Sequence, residues 1–363
     1  MRLPQTRVLI GDALEMLRTL PAESVQCCVT SPPYFGLRSY LPHDHPDKAR
    51  EIGAEDTLDA YMARVVAVMR EVRRVLRPDG VLWLNIGDSY AAGGSGGQSA
   101  KSTLRGNGHG GGKRLSPHLQ AMNGAQFVRK PPAGLKPKDL LMIPARVGLA
   151  LQADGWWVRS EVVWAKRNPM PESVRDRPTC AHEKLFLLAK SDRYFFDAEA
   201  VREPNVGIER PNFDRSRGML PKSSGRGTSG GDAVDRCGNA LDGKRNARNV
   251  QSWLPTPYKG SHYAVMPLGM ADWCIRCGSR PGDTVLDPFG GSGTTAAAAA
   301  ALGRDAVLID LDPRNEALIR ERLAAPAKKA ARKRVEAPPP AAAPAPEAAE
   351  PPLLAAITAR VAA

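Results

Sequence analysis

No stretch of this 363-residue chain reaches the ~18 uncharged apolar residues of a membrane-spanning helix. No apolar run near Met1 has the form of a secretion signal. A soluble, cytoplasmic protein with no membrane partner is therefore expected. Cysteine is scarce, and six in this length make no disulfide scaffold. Cys274-Ile-Arg-Cys277 has the spacing of half a zinc site, yet no second such pair follows. Cys180, His182 and Cys237 complete a site only if folding happens to collect them. Free thiols on a helix are the competing reading, and no metal is assigned. Acidic residues are also under-represented, with 38 Asp and Glu against 51 Lys and Arg and a net charge of +13. From Ser89 to Lys138 there is none, although Lys101, Arg105, Lys113, Arg114, Arg129, Lys130 and Lys136 lie there. Such clustering suits a polyanionic partner, because Lys and Arg gain affinity by displacing counterions from phosphates. A basic tail on an ordinary enzyme is the blander reading, but the charge is not confined to the tail.

What is present points to an α/β protein. Short β-rich runs occur at Arg7–Gly11, Val25–Thr30, Val81–Ile86, Val158–Ala165, Lys184–Ala189, Thr284–Asp287 and Ala306–Asp310. Several are continuously apolar, as strands covered on both faces are. Helical patterns lie between them, at Ala13–Leu20, Leu58–Leu76, Leu140–Ala153, Ala264–Cys277, Thr294–Leu302 and Arg314–Leu323. The second carries Tyr61, Val65, Val68, Met69, Val72 and Leu76 on one stripe, with Pro78-Asp79-Gly80 to end it. This alternation argues for a doubly wound sheet. Two stretches, Ala91–Gly134 and Arg202–Ser261, are basic and irregular, and read either as functional loops or as solvated ones. From Ala324 the sequence is a low-complexity Ala/Pro/Glu tail with five basic residues at its start, expected to be disordered.

Two segments carry chemistry. Val285-Leu286-Asp287 reads as a strand running into Pro288-Phe289-Gly290-Gly291-Ser292-Gly293-Thr294. The glycines permit a tight turn and close ligand approach, and Thr294 opens a helix whose first N–H groups are free. Asp310, at the end of the next strand, stands where an acid can hold ribose hydroxyls. A dinucleotide oxidoreductase competes for this turn, but G-x-G-x-x-G is absent. At most two strands follow the glycines before the tail, so the sheet is expected to be circularly permuted. Asp12 then becomes a candidate wall of an adenine pocket, or simply a helix N-cap. The second segment is Ser31-Pro32-Pro33-Tyr34, at the end of a strand where ligands bind in such sheets. The prolines stiffen the turn. The Ser31 hydroxyl and Pro32 carbonyl can each accept one N–H of an aryl amine, and Tyr34 can stack on its ring.

Ser31–Tyr34 resembles the catalytic motif of the amino-group DNA methyltransferases, and Asp287–Gly293 resembles their S-adenosylmethionine motif. Catalytic motif first and cofactor motif last is the order of the permuted β group. Arg74–Gly80 with Leu82–Asn85, Gly155-Trp156, Trp164–Lys166, Asn168–Pro171, Asp176–Thr179, His182-Glu183, Tyr194–Asp197 and His262–Pro267 resemble further blocks of that family. The resemblance implies a circularly permuted Rossmann-like methyltransferase fold with irregular DNA-recognition insertions. It implies S-adenosylmethionine as donor and duplex DNA with a flipped base as substrate. Catalytic residues would be Ser31, Pro32, Pro33 and Tyr34. Cofactor residues would be Asp12, Asp287, Phe289, Gly291, Gly293, Thr294 and Asp310. The catalytic half would span residues 1–201, a target-recognition region 202–261, the cofactor half 262–323 and the tail 324–363. Serine at the first motif position leans to cytosine N4, with adenine N6 as the alternative. A protein- or RNA-amine methyltransferase and an inactive DNA-binding protein on the same fold fit less well, given the basic insertions and the intact motifs. A companion restriction endonuclease, a bacterial or phage setting near the nucleoid, and a monomer or dimer complete the expectation.

Overall fold

The computed structural model describes residues 3–37, 40–42, 44–91, 135–169, 171–172, 174–204, 244–254 and 265–324. The 91–134 loop from residue 92 onward, most of the recognition region, Arg38, Cys237, His262–Ala264 and the tail lie outside the described residues. In chain order the elements begin with β1 (Thr6–Ile10), α1 (Ala13–Arg18), β2 (Val25–Thr30), α2 (Leu58–Val75) and β3 (Leu76–Ile86). Next come α3 (Ile143–Ala153), β4 (Trp157–Ala165), β5 (His182–Ala189), β6 (Glu203–Pro204), β7 (Lys244–Arg245) and β8 (Val250–Gln251). The last are α4 (Leu268–Gly278), β9 (Thr284–Asp287), α5 (Thr294–Ala301), β10 (Asp305–Asp310) and α6 (Arg314–Ala324).

Eight strands form one sheet in the order β1-β10-β9-β2-β3-β5-β4-β8. The pairings from β1 through β3 are parallel, whereas β5 runs antiparallel to both β3 and β4. The centre of the sheet joins the two ends of the sequence, with Cys27 opposite Val285 and Cys28 opposite Leu286. Walking outward from the glycine-bearing β9, one meets β10 and then β1, so the chain order wraps around and the sheet is circularly permuted. Only one strand, β10, follows the glycines among the described residues.

All six residues of β2 are buried, as a central strand with both faces covered requires. Its side chains alternate between two cores: Cys28 meets the α1–α2–α3 layer, while Cys27 and Val29 meet α4 and α5. Helix α2 shows how the sequence builds one layer. Thr57 caps it by accepting from the Ala60 N–H at 3.1 Å, Asp59 sits in the first turn, and Arg73 and Arg74 sit in the last. Tyr61, Val65, Val68, Met69, Val72 and Val75 are buried along one face. Each such apolar side chain contributes roughly 1.5–3 kcal/mol by leaving water.

Three expectations are corrected. The α2 helix stops at Val75 and β3 starts at once at Leu76. Pro78-Asp79-Gly80 therefore lies within the strand, where the β2–β3 register shifts between Val25 and Cys27. The expected helix from Leu140 begins only at Ile143, after Met142 takes a left-handed conformation, and the Asp88 carboxylate caps it through the Ile143 N–H at 3.0 Å. The recognition segment is not irregular throughout. β8 adds to the sheet edge beside β4, β7 pairs with β6, and the Glu203 carboxylate gathers Arg245, Arg248 and Gln251.

Candidate active site

The two motif segments meet at the carboxyl edge of the sheet because β2 and β9 are parallel neighbours that end there. One hydrogen bond ties them: Thr30 Oγ1 donates to Asp287 Oδ1 at 2.7 Å. The other carboxylate oxygen accepts from Thr295 Oγ1 at 2.7 Å, and the Phe289 N–H donates to Oδ1 at 3.1 Å. Asp287 is 4% exposed, and burial pushes its carboxyl up to about 6 despite the three donors. It is thus a structural knot between the loops.

Gly291 and Gly293 take positive φ of 50° and 76°, and a side chain at Gly293 would press on Ile319. The turn opens onto the N-terminus of α5 at Thr294. Arg322, from α6, braces it by donating to the Ser292 carbonyl, Ser292 Oγ and Thr294 Oγ1 at 2.9–3.2 Å. At the end of β10, Asp310 accepts from the Gly291 N–H at 2.7 Å and from the Asp312 N–H and Asn315 Nδ2 at 2.9 Å. Left-handed glycines, a helix N-terminus and a pinned acid on the adjacent strand fit a nucleoside-bearing cofactor. Phe289 is half-buried beside the turn. Asp12 accepts from the Leu14 and Glu15 N–H groups at 3.0 and 3.1 Å, so it caps α1. It stands at the end of β1, on the same edge.

The Ser31–Tyr34 turn is held from several sides. Tyr61 Oη donates to the Pro33 carbonyl at 3.1 Å, and Ser89 Oγ donates to the Phe35 carbonyl at 3.3 Å. Tyr34 packs against a bare patch of backbone, since a Cβ at Gly87 would stand 2.5 Å from Tyr34 Cε2. The Tyr34 hydroxyl donates to Glu183 Oε2 at 2.6 Å and lies 3.4 Å from both Asn85 Oδ1 and Ser31 Oγ. Lys166 Nζ pairs with the other Glu183 oxygen at 2.5 Å, and Asn85 Nδ2 reaches Oε2 at 3.2 Å. Burial, followed by the Glu183 charge, holds the Tyr34 phenol well above its ordinary value.

This geometry answers points the sequence left open. Of the His182-Glu183 pair, Glu183 is engaged with the motif and His182 is exposed. Trp156, in one of the family-like blocks, is buried, and its neighbour Trp157 is 48% exposed. Cys27, Cys28, Cys274 and Cys277 are buried free thiols, pushed up chiefly by burial. Thr30, Thr295 and Gly87 belong to the site although the sequence assigned them no role, and Asn85 and Lys166 lay in family-like blocks with no role attached to either residue. The polar run His182-Glu183-Lys184 at the head of an otherwise apolar strand was the available hint.

A family profile described as DNA methylase matches residues 25–321. The chain belongs to this DNA methylase family. As a member it is an S-adenosylmethionine-dependent DNA methyltransferase of the N6/N4 type. The Type II methyltransferase M.SmaI of Serratia marcescens is 40% identical over 318 residues, covering 87% of this chain and 90% of that one. M.XycI of Xanthomonas campestris pv. cyanopsidis is also 40% identical, covering 86% of each. Among solved structures, the fold is similar to the PvuII DNA methyltransferase described as cytosine-N4-specific. There the TM-score is 0.53 at 17% identity, with 88% of this chain and 89% of that one covered. It is also similar to a putative DNA modification methylase from Thermus thermophilus complexed with S-adenosyl-L-methionine, with TM-score 0.51, 23% identity, and 88% and 93% covered. Among the described residues no helix is long and apolar enough to cross a membrane.

Proposed function

We propose that this enzyme methylates the N4 amine of cytosine at a specific sequence in duplex DNA, as the modification partner of a restriction endonuclease. The observation that carries the reading is the Thr30–Asp287 bond, which sets the amine-binding turn and the cofactor turn side by side. S-adenosylmethionine, when bound, supplies an electrophilic methyl group on its sulfonium. The turn after β9 and the N-terminus of α5 would hold it, with Phe289, Gly291, Gly293 and Thr294 lining the turn and Asp310 placed for the ribose. Asp12, at the end of β1, would close the adenine side.

The flipped cytosine stacks on Tyr34. Ser31 Oγ and the Pro32 carbonyl each accept one amine N–H, drawing the nitrogen toward tetrahedral geometry and freeing its lone pair to take the methyl group as the methyl–sulfur bond breaks; the thioether product leaves and the nitrogen sheds one proton. Pro33 stiffens the turn and gives its own carbonyl to Tyr61. Serine at the first motif position favours cytosine over adenine. Residues 202–261 would read the site, with their basic side chains on phosphates. Incubation with labelled S-adenosylmethionine and duplex DNA, followed by nucleoside analysis, tests this. N4-methylcytosine is the expected product. N6-methyladenine would refute the base assignment, and no methylated nucleoside would refute the DNA substrate.

A further inference from the structure

The site contains more machinery than the two acceptors require. Behind Ser31 runs a chain of hydrogen bonds, Ser31 Oγ to Tyr34 Oη to Glu183 Oε2, whose last member is also gripped by Lys166 Nζ and Asn85 Nδ2. Its direction matters. A neutral amine needs lone pairs from Ser31, whereas a serine hydroxyl can present either a lone pair or its proton. A proton aimed at the amine would oppose its N–H groups and cancel the polarisation that favours attack.

We infer that Glu183 sets the direction of this chain and is thereby a positioning residue for methyl transfer. The inference rests on the proposed role of Ser31 as amine acceptor. A carboxylate can only accept, so the Tyr34 proton must point to Glu183, and the 2.6 Å separation is that of a charge-assisted bond. With its one proton committed inward, the Tyr34 oxygen can only accept from Ser31. The Ser31 proton then points away from the substrate, and its lone pairs face the amine. Asn85 cannot reverse this arrangement. Its Nδ2 donates to Glu183 and to the Lys184 carbonyl, which fixes the amide, and its oxygen, 3.4 Å from Tyr34 as Ser31 Oγ is, can only accept and so offers the phenol no proton. Lys166 balances the Glu183 charge without touching the tyrosine. The raised Tyr34 phenol keeps its proton throughout the working range and remains a donor.

Glu183→Gln offers Tyr34 an amide that can donate, which lets the chain run the other way. Single-turnover methyl transfer should fall at least tenfold, with the S-adenosylmethionine dissociation constant within twofold of wild type. Tyr34→Phe keeps the ring but deletes the chain. In that background Glu183→Gln should cost less than a further threefold. A purely structural glutamate would impose the same loss in both backgrounds, and that outcome overturns the inference, as does wild-type turnover by Glu183→Gln. A second measurement needs neither activity nor a folded glutamine variant. Wild type should show a downfield hydroxyl-proton resonance that Tyr34→Phe removes, and its absence from wild type overturns the inference. Failure of wild type to methylate DNA would instead sink the proposed function, with the resonance still reporting on the chain.

Discussion

Asp287→Asn isolates the electrostatic penalty at the seam between the two motifs. The folded protein holds this carboxyl at about 6 against an ordinary 3.8, because burial disfavours its charged form. A gap of about two pH units corresponds to about 3 kcal/mol. The sign follows from linkage: the folded state binds the proton more tightly than the unfolded state. The contribution to stability is therefore full below the unfolded value near 4 and is lost as pH rises through about 6. Asparagine keeps the shape. Its oxygen can accept from Thr30 and the Phe289 N–H. Its Nδ2 can donate to Thr295, whose hydroxyl has the Val29 carbonyl at 3.4 Å as an alternative acceptor. Relative to wild type, the variant should gain about 1.4 kcal/mol between pH 5 and pH 8, or roughly 2 °C in midpoint temperature. Urea unfolding of both proteins across that range measures the difference directly, free of the other titrating groups they share. A difference curve that is flat with pH, or that falls toward pH 8, refutes the reasoning.

Two further substitutions probe the two halves separately. Gly87→Ala places a Cβ against the Tyr34 ring, which Glu183 prevents from moving freely. Methyl transfer should fall at least tenfold while the cofactor dissociation constant, by calorimetry, stays within twofold. Overpacking should cost about 1–3 kcal/mol of stability. Arg322→Ala removes the brace from Ser292 and Thr294. Cofactor affinity should weaken about tenfold, or about 1.4 kcal/mol, with DNA affinity by fluorescence anisotropy unchanged.

Much of this was legible because the deciding signals were local. Apolar runs such as Val25–Thr30 marked central strands, and the stripe on α2 marked its buried face. The glycine turn and Pro-Pro turn announced their own backbone shapes. What could not be read were properties set by pairing. Nothing in Lys184–Ala189 states that β5 runs antiparallel, yet that reversal is what delivers Glu183 to Tyr34. Thr30 and Thr295 looked like ordinary strand-end and helix residues until Asp287 was seen between them. Residues 244–251 read as loop because their strands are two residues long, too short for any periodicity to register.

The pairing of β1 with β10 also constrains how the protein is made. Thr6 finds its ladder partner Ala306 only after 300 more residues have been synthesised. At about 5–20 residues per second that is roughly 15–60 s during which β1 and the open side of β2 stay unpaired. Contacts this distant in sequence close slowly and leave strand edges exposed to other chains. The nascent enzyme therefore cannot be rescued early by its own methyl donor, since the turn that would grip it follows β9, late in the chain.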